Sequence, residues 1–314
     1  MDFISIDFET ANLDPTSACA VGLVLVSEGQ ILQTTKYFIR PPRIHFKDKF
    51  KRIHGIGIPD VIDAPRFDEI WPKLTDLIHD HPLVAHNAQF DIKVFHSLAR
   101  FYGLTASYTL RVACSLKLAR RIWRGLRSYS LRNLVEQLGI TGFCYHDPLS
   151  DAIAAAQIVL KAAHQCSCNS LFSLCNQCQV QMLEFVPGQN DPIPNSCKSA
   201  CPDWRIVIPE EYDVATHPLY GKNIVFTGEL ESMERCVAEY LVAQLGATAC
   251  KSVTKRTNYL VATRDDTQKF RRAQELRAKG IPIQIIDEAT FRDLVKDFLA
   301  PRKNFGEGSS DVAL

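Results

Sequence analysis

No apolar run in this 314-residue chain approaches the roughly 18–20 residues that a membrane-spanning helix requires. Met1-Asp2-Phe3 lacks the basic start of a secretory signal. No internal repeat is visible, which excludes a solenoid. Net charge is almost nil: 36 Lys and Arg stand against 35 Asp and Glu, leaving +1. The total therefore says nothing about partners, and only its distribution does. Eleven cysteines without a signal sequence fit a reducing compartment better than a disulfide framework. These absences lead us to expect a cytoplasmic protein with no membrane partner.

The length suggests about two domains, and 46% apolar composition is ample for two cores. Residues 1–165 carry 19 Lys/Arg against 16 Asp/Glu, residues 166–215 carry 2 against 6, and residues 216–303 carry 15 against 11. Two mildly basic blocks flank an acidic spacer, which suits nucleic acid at both ends. From Val186 to Asn195 three prolines and several turn residues read as a linker. The boundaries expected are 1–185 for the first domain, 186–216 for the linker, 217–303 for the second domain and 304–314 for a mobile tail. In the first block three strands (3–8, 18–26, 31–39) precede a basic loop, and helices then alternate with strands. That order implies an α/β mixed sheet with helices on both faces.

Carboxylates mark the ends of several of these elements. Phe3-Ile4-Ser5-Ile6-Asp7-Phe8-Glu9 alternates like a strand, so Asp7 and Glu9 project from one face. Leu83 to Asp91 runs from strand into turn and delivers a third acid. His146-Asp147-Pro148-Leu149-Ser150-Asp151 opens an Ala-rich helix whose proline suits the first turn, with Asp151 in that turn and His146 on the loop before it. Taken singly, these acids read as solvated strand ends and helix caps. Brought together, four carboxylates would repel unless cations neutralised them, and an all-oxygen ligand set selects Mg²⁺ or Mn²⁺.

The blocks Asp7-Phe8-Glu9, His86-Asn87-Ala88-Gln89-Phe90-Asp91 and His146-x4-Asp151 together resemble the DEDDh branch of the proofreading-type 3′–5′ exonucleases. The resemblance covers about the first 165 to 185 residues and implies a ribonuclease H-like fold. It implies two divalent ions, with Asp7 bridging them, Glu9 and Asp151 completing the inner ligands and Asp91 acting mainly through water. It assigns His146 as general base, suited by a titration near neutrality. A Tyr there would mark the sister branch; Tyr145 adjoins, but the register from Asp151 favours His146. By the same resemblance, the backbone of Thr10 and Ala11 lies near the terminal nucleotide. His54, in Ile53-His54-Gly55-Ile56, would shape the pocket for the 3′-terminal base, or be a satisfied loop histidine. Asn87 would brace its turn by hydrogen bonding, and Phe90, placed with them at the substrate, reads more as packing than as catalysis.

Residues 220–298 resemble a BRCT domain, particularly the single copy of bacterial DNA ligases. The features that carry the resemblance are Phe226-Thr227-Gly228, Gly246-Ala247, Thr257-Asn258-Tyr259-Leu260-Val261 and Phe291, where the family more often has Trp. The resemblance implies a smaller α/β binding module. Thr227, Gly228 and Lys269 match positions that grip phosphate in copies that bind it, with Lys269 at a helix start where backbone N–H groups favour anions. DNA, a 5′-phosphate end or a protein is the expected partner.

Three stretches read two ways. Lys117, Arg120, Arg121, Arg124, Arg127 and Arg132, interleaved with Trp123 and Tyr129, are either a phosphate-contacting, base-stacking surface or a solvated face. Cys175, Cys178, Cys197 and Cys201 could hold Zn²⁺, but helical spacing with Leu171 and Leu174 and the lack of Gly-rich knuckles favour packing. Gln181 to Phe185 faintly resembles a sliding-clamp-binding peptide in or beside a helix. The function expected is release of nucleoside 5′-monophosphates from DNA 3′ ends, single-stranded at the active site, in repair or proofreading. The alternatives are RNA 3′-end trimming and a non-enzymatic DNA-end or phosphopeptide adaptor.

Overall fold

The structure is a computed structural model that describes residues 1–188, 204–206, 208–209 and 212–301. It forms two compact units, one of residues 1–42 and 46–188 and one of residues 43–45 with the described residues from 204 to 301.

The first unit is built on β1 (Phe3–Thr10), β2 (Ala18–Ser27) and β3 (Gln30–Phe38), followed by α1 (Asp48–His54), α2 (Ile58–Val61) and α3 (Phe67–Ile78). Next come β4 (Leu83–Ala85), α4 (Gln89–Tyr102), β5 (Leu110–Cys114), α5 (Ser115–Ile122), α6 (Leu131–Gln137), α7 (Pro148–Gln165), α8 (Leu171–Gln177) and β6 (Leu183–Phe185). The sheet order is β3-β2-β1-β4-β5-β6, parallel across β1, β4 and β5 and antiparallel elsewhere. This is the mixed α/β, ribonuclease H-like arrangement.

Each face of the sheet has its own core. Ile4, Ile6 and Phe8 of β1 pack with Phe67, Ile70 and Leu74 of α3 and Phe95 and Leu98 of α4. On the opposite face Phe3, Val24 and Val26 meet Ala152, Ala155, Ala156 and Val159 of α7. The alanines matter because a short side chain lets the helix backbone come close to the strands beneath. Fully burying residues such as Phe8 or Phe95 contributes roughly 1.5–3 kcal/mol each.

Two short helices, α1 and α2, occupy the expected loop after β3. α1 buries none of its residues, so it shows no apolar stripe in the sequence. β6 is a strand, not a helical segment, and this corrects the clamp-peptide reading: Leu110 to Val112 pair with Phe185 to Leu183, and the Phe185 ring lies 6.0 Å from that of Phe95.

The second unit contains β7 (Trp204–Ile206), β8 (Asn223–Thr227), α9 (Arg235–Gln244), β9 (Thr248–Cys250), β10 (Tyr259–Ala262), α10 (Gln268–Ala278), β11 (Gln284–Ile286), α11 (Glu288–Val295) and β12 (Leu299–Pro301). Its main sheet, β11-β10-β8-β9, is wholly parallel. Phe291 of α11 is buried and meets Phe226 edge-on at 5.3 Å, as expected of an aromatic plug. β7 lies inside the expected linker and pairs with β12, so the linker is shorter at its C-terminal end than its composition implies. The expected tail, 304–314, lies outside the described residues.

Candidate active site

Asp7 and Glu9 stand at the carboxyl end of β1, next to its parallel neighbour β4. The turn after β4 carries Asn87 at φ +63, a left-handed conformation that Asn tolerates better than most residues. That turn starts α4 with Asp91 in its first turn. Asp91 is buried, and its Oδ1 accepts the Phe8 N–H at 3.0 Å, which ties α4 to β1 between the two other acids. Asp151 comes from the first turn of α7, whose Ala-rich face packs across β1 and β2. His146, also left-handed at φ +62, precedes the cap of that helix.

The four acids and the histidine converge. Ligand atoms of Glu9, His146 and Asp151 lie within 4.8 Å of one another. Asp7 keeps some exposure at the cleft, but desolvation followed by the charges of Asp91, Asp151, Glu9 and Asp147 pushes it well above the usual carboxylate range. Burial and then Asp151 and Asp91 push Glu9 up to about 8. Asp91 is pushed up to about 8 by burial, against the hydrogen bond from Phe8. Asp151 is pushed up to about 7, again by burial, against a hydrogen bond from the His146 backbone. Two buried oxygens, Asp91 Oδ2 and Asp151 Oδ1, have no hydrogen-bond partner among the described residues. A buried, partnerless carboxylate oxygen is costly unless a cation meets it. The donor set is therefore suited to hard divalent ions.

The other expected site residues divide. His54 accepts the Ile56 N–H at Nδ1 (3.0 Å), so Nε2 is the donor to the Thr10 carbonyl at 3.2 Å. Burial and the nearby His146 hold its pKa down. It is a satisfied histidine that anchors the end of β1. Thr10 and Ala11 are buried, and the Ala11 N–H already donates to Ser17 at 2.8 Å, so it offers no free donor to a nucleotide. The Asn87 side chain is exposed without a hydrogen bond to the described residues; the turn is braced by its carbonyl, which accepts the Phe90 N–H at 3.0 Å. Phe90 is 43% exposed, which corrects the packing reading and leaves its ring open to a ligand.

The basic stretch is exposed on α5, α6 and the segment between them, but its aromatics are engaged internally. Trp123 is half-buried and donates to Gln165 at 2.7 Å, and Tyr129 donates to the Trp123 carbonyl at 2.8 Å with Arg120 over its ring. The cations remain open to solvent; the stacking part of the expectation fails because these rings fill space between helices. Cys175 is buried in the α7 core, and burial pushes its thiol up to about 12. Cys197 and Cys201 lie outside the described residues.

In the second unit Thr227, Gly228 and Lys269 come together. The Thr227 hydroxyl lies 2.9 Å from that of Thr267, the cap of α10, and Lys269 Nζ donates to the Phe226 carbonyl at 3.0 Å. Arg235, unassigned in the sequence, donates to the same carbonyl at 3.2 Å and also to that of Gly228. Burial and then the Arg235 charge lower the pKa of Lys269. In the first unit, sequence reasoning also missed the ion pair between Lys36 and Asp147 and the close approach of Gly22 to the start of α7. Only the cap before Pro148 left a local signal.

Residues 4–159 match the RNase_T family, described as exonuclease, and residues 215–283 match the BRCA1 C Terminus (BRCT) domain. The chain joins an exonuclease-family domain to a BRCT domain. Over 162 residues the exonuclease domain is 32% identical to a DNA polymerase III PolC-type of Caldanaerobacter subterraneus subsp. tengcongensis, covering 51% of this chain and 11% of that protein. It is 28% identical over 160 residues to the DNA polymerase III subunit epsilon of Aquifex aeolicus, covering 51% of this chain and 79% of that one. The BRCT domain is 41% identical over 91 residues to a DNA ligase of Erythrobacter litoralis, covering 28% of this chain and 12% of the ligase. The chain thus spans about a tenth of the length of the PolC-type relative and of the ligase. Among the described residues no helix is long and apolar enough to cross a membrane.

Proposed function

We propose that this chain is a metal-dependent 3′–5′ exonuclease that releases nucleoside 5′-monophosphates from DNA 3′ ends, with the BRCT domain holding it near DNA or a repair partner. The observation that carries the reading is the convergence of Asp7, Glu9, Asp91, Asp151 and His146 at the strand ends. Asp7, Glu9, Asp91 and Asp151 would hold two Mg²⁺ or Mn²⁺ ions. When bound, such a pair supplies positive charge to the attacking and leaving oxygens of an in-line phosphoryl displacement.

The remaining roles fall to the protein. His146 takes the proton of the attacking water at a ring nitrogen, and its exposure lets it pass that proton to solvent. Asp91 locks β1 to α4 through the Phe8 N–H, so Asp7 and Glu9 keep their spacing. Phe90, beside Asp91 and open to solvent, offers a face on which a terminal base can stack. Exposed cations from Lys117 to Arg132 fit the following phosphates. In the BRCT domain, Lys269 and Arg235 beside Thr227 and Gly228 form a cationic notch suited to a phosphate group.

DNA is favoured over RNA as substrate because both stretches of similarity lead to DNA-processing proteins by name, a polymerase subunit and a ligase. A 3′-end degradation assay on matched DNA and RNA oligonucleotides with Mn²⁺ tests the reading. Shortening of DNA from the 3′ end, abolished by Asp7→Ala, is the expected result. Preference for RNA would replace the substrate, and no cleavage of either would leave the adaptor reading.

A further inference from the structure

The strand register sets three residues on one rung of the exonuclease sheet. Asp7 of β1 pairs with Gly22 of β2, and Gly22 pairs with Lys36 of β3. Residues paired across neighbouring strands share a face, and here it is the face beneath α7. Gly22 lies under the first turn of that helix: a Cβ at position 22 would run into the backbone of Pro148 and Leu149. The helix start therefore rests directly on the strand. Asp7 stands on one side of that seat, and Lys36 stands on the other.

Lys36 reaches up from the seat to Asp147. Its ammonium pairs with Asp147 Oδ2, while Asp147 Oδ1 accepts the N–H groups of Leu149 at 3.1 Å and Ser150 at 3.0 Å. One carboxylate thus caps α7 and fastens its end to β3. The ammonium also lies 5.0 Å from the centre of the Phe38 ring, which narrows its range of positions. The pair is only 28% and 32% exposed, unlike the open Arg132–Glu136 and Arg111–Glu184 pairs. The fastened turn bears directly on two site residues. The Asp151 N–H donates to the Asp147 carbonyl at 2.8 Å, and His146 is the single left-handed residue immediately before the cap. Ser150 Oγ accepts the Cys144 N–H at 2.8 Å, closing the loop on its other side.

We propose that Lys36 is a positioning residue for the nuclease reaction: by clamping Asp147 it seats the first turn of α7 on Gly22, and so fixes where Asp151 and His146 meet Asp7 and Glu9. The proposal rests on the exonuclease reading above. Lys36 touches no reacting atom in this role. Its effect belongs in turnover and in the rigidity of the 146–151 segment, not in substrate affinity.

The test compares Lys36→Met, Lys36→Arg and Asp147→Asn in the full chain; the last keeps a capping oxygen and removes the charge that Lys36 holds. Amide hydrogen exchange at Leu149, Ser150 and Asp151 should quicken about fivefold or more in Lys36→Met and Asp147→Asn, and return toward wild type in Lys36→Arg. On a DNA oligonucleotide with Mn²⁺, kcat should fall about tenfold in the first two variants with KM within about twofold, and recover in Lys36→Arg. Unchanged exchange at these amides overturns the proposal, as does a loss confined to KM, which would make Lys36 a substrate contact. If Lys36→Met does not fold, Asp147→Asn carries the same two measurements. A wild-type chain without exonuclease activity would overturn the functional reading, while the exchange comparison would still decide for or against the clamp.

Discussion

Both units gather charge at the carboxyl ends of parallel strands, β1 and β4 in the exonuclease domain and β8 and β10 in the BRCT domain, but the two clusters have opposite signs and opposite states of satisfaction. In the first, four acids share a partly buried cleft, their pKa values are pushed upward, and two of their oxygens have no partner among the described residues. In the second, Lys269 and Arg235 already donate to the carbonyls of Phe226 and Gly228. A cluster whose acceptors lack partners is stable only with cations, so its ligand is part of its electrostatics. The cations of the second cluster are anchored by backbone carbonyls and keep further N–H groups, so a phosphate adds contacts there without being needed for stability. The first arrangement suits chemistry on a phosphate, and the second suits reversible holding.

The largest effect should come from Asp7→Ala, which removes the acid facing all the others. DNA cleavage should fall to background while the metal-free protein becomes no less stable, because a desolvated carboxylate has been removed. A thermal midpoint several degrees lower, with cleavage retained, would refute the contrast between the clusters. His146→Ala should lower kcat by about 10²–10⁴-fold, the range of a lost general base, with Mn²⁺ affinity falling far less than in Asp7→Ala. Equal loss of both would make His146 chiefly a ligand.

Stability against pH sharpens the comparison next. Glu9 and Asp91 are pushed up to about 8 and Asp151 to about 7, against about 4 for free carboxylates. The folded state therefore holds these protons more tightly than the unfolded chain. Their stabilisation is complete below pH about 4 and is lost as pH rises through 7 to 8. Scanning calorimetry of the metal-free protein should show a midpoint that declines between pH 5 and 8, and Mn²⁺ should raise it most at the upper end. A flat profile would mean that the acids do not repel one another as their geometry implies. The smallest effect should come from Lys269→Ala. Binding of a 5′-phosphorylated duplex should weaken by about tenfold or less, near 1.4 kcal/mol, with exonuclease kcat unchanged. A loss a hundred times greater would show that Lys269 carries most of the phosphate contact, with Arg235 and Thr227 adding little.

Much of this was legible residue by residue. Asp7 and Glu9 at the end of an alternating strand, and Asp147 and Pro148 at the start of an alanine-rich helix, are local patterns set by side-chain period and backbone geometry. So are the strands of the BRCT domain, though not their parallel pairing. α1 escaped because it buries nothing, and β6 because three residues are too few for a period to show. Between the two readings of the stretch around Trp123 the sequence could not choose for a different reason: an indole can pack between helices as readily as against a base, and only neighbours distant in sequence decide which.

Which side chains carry charge, and at which ends of which strands and helices, follows from short-range pattern, because period and capping act over a few residues. That Gly22 is the seat of α7, that Lys36 reaches Asp147 across 111 positions, and that Arg235 shares a carbonyl with Lys269 depend on strand register and helix packing. Register and packing are fixed by burying two apolar faces of a whole sheet at once, and no local stretch of the chain encodes them.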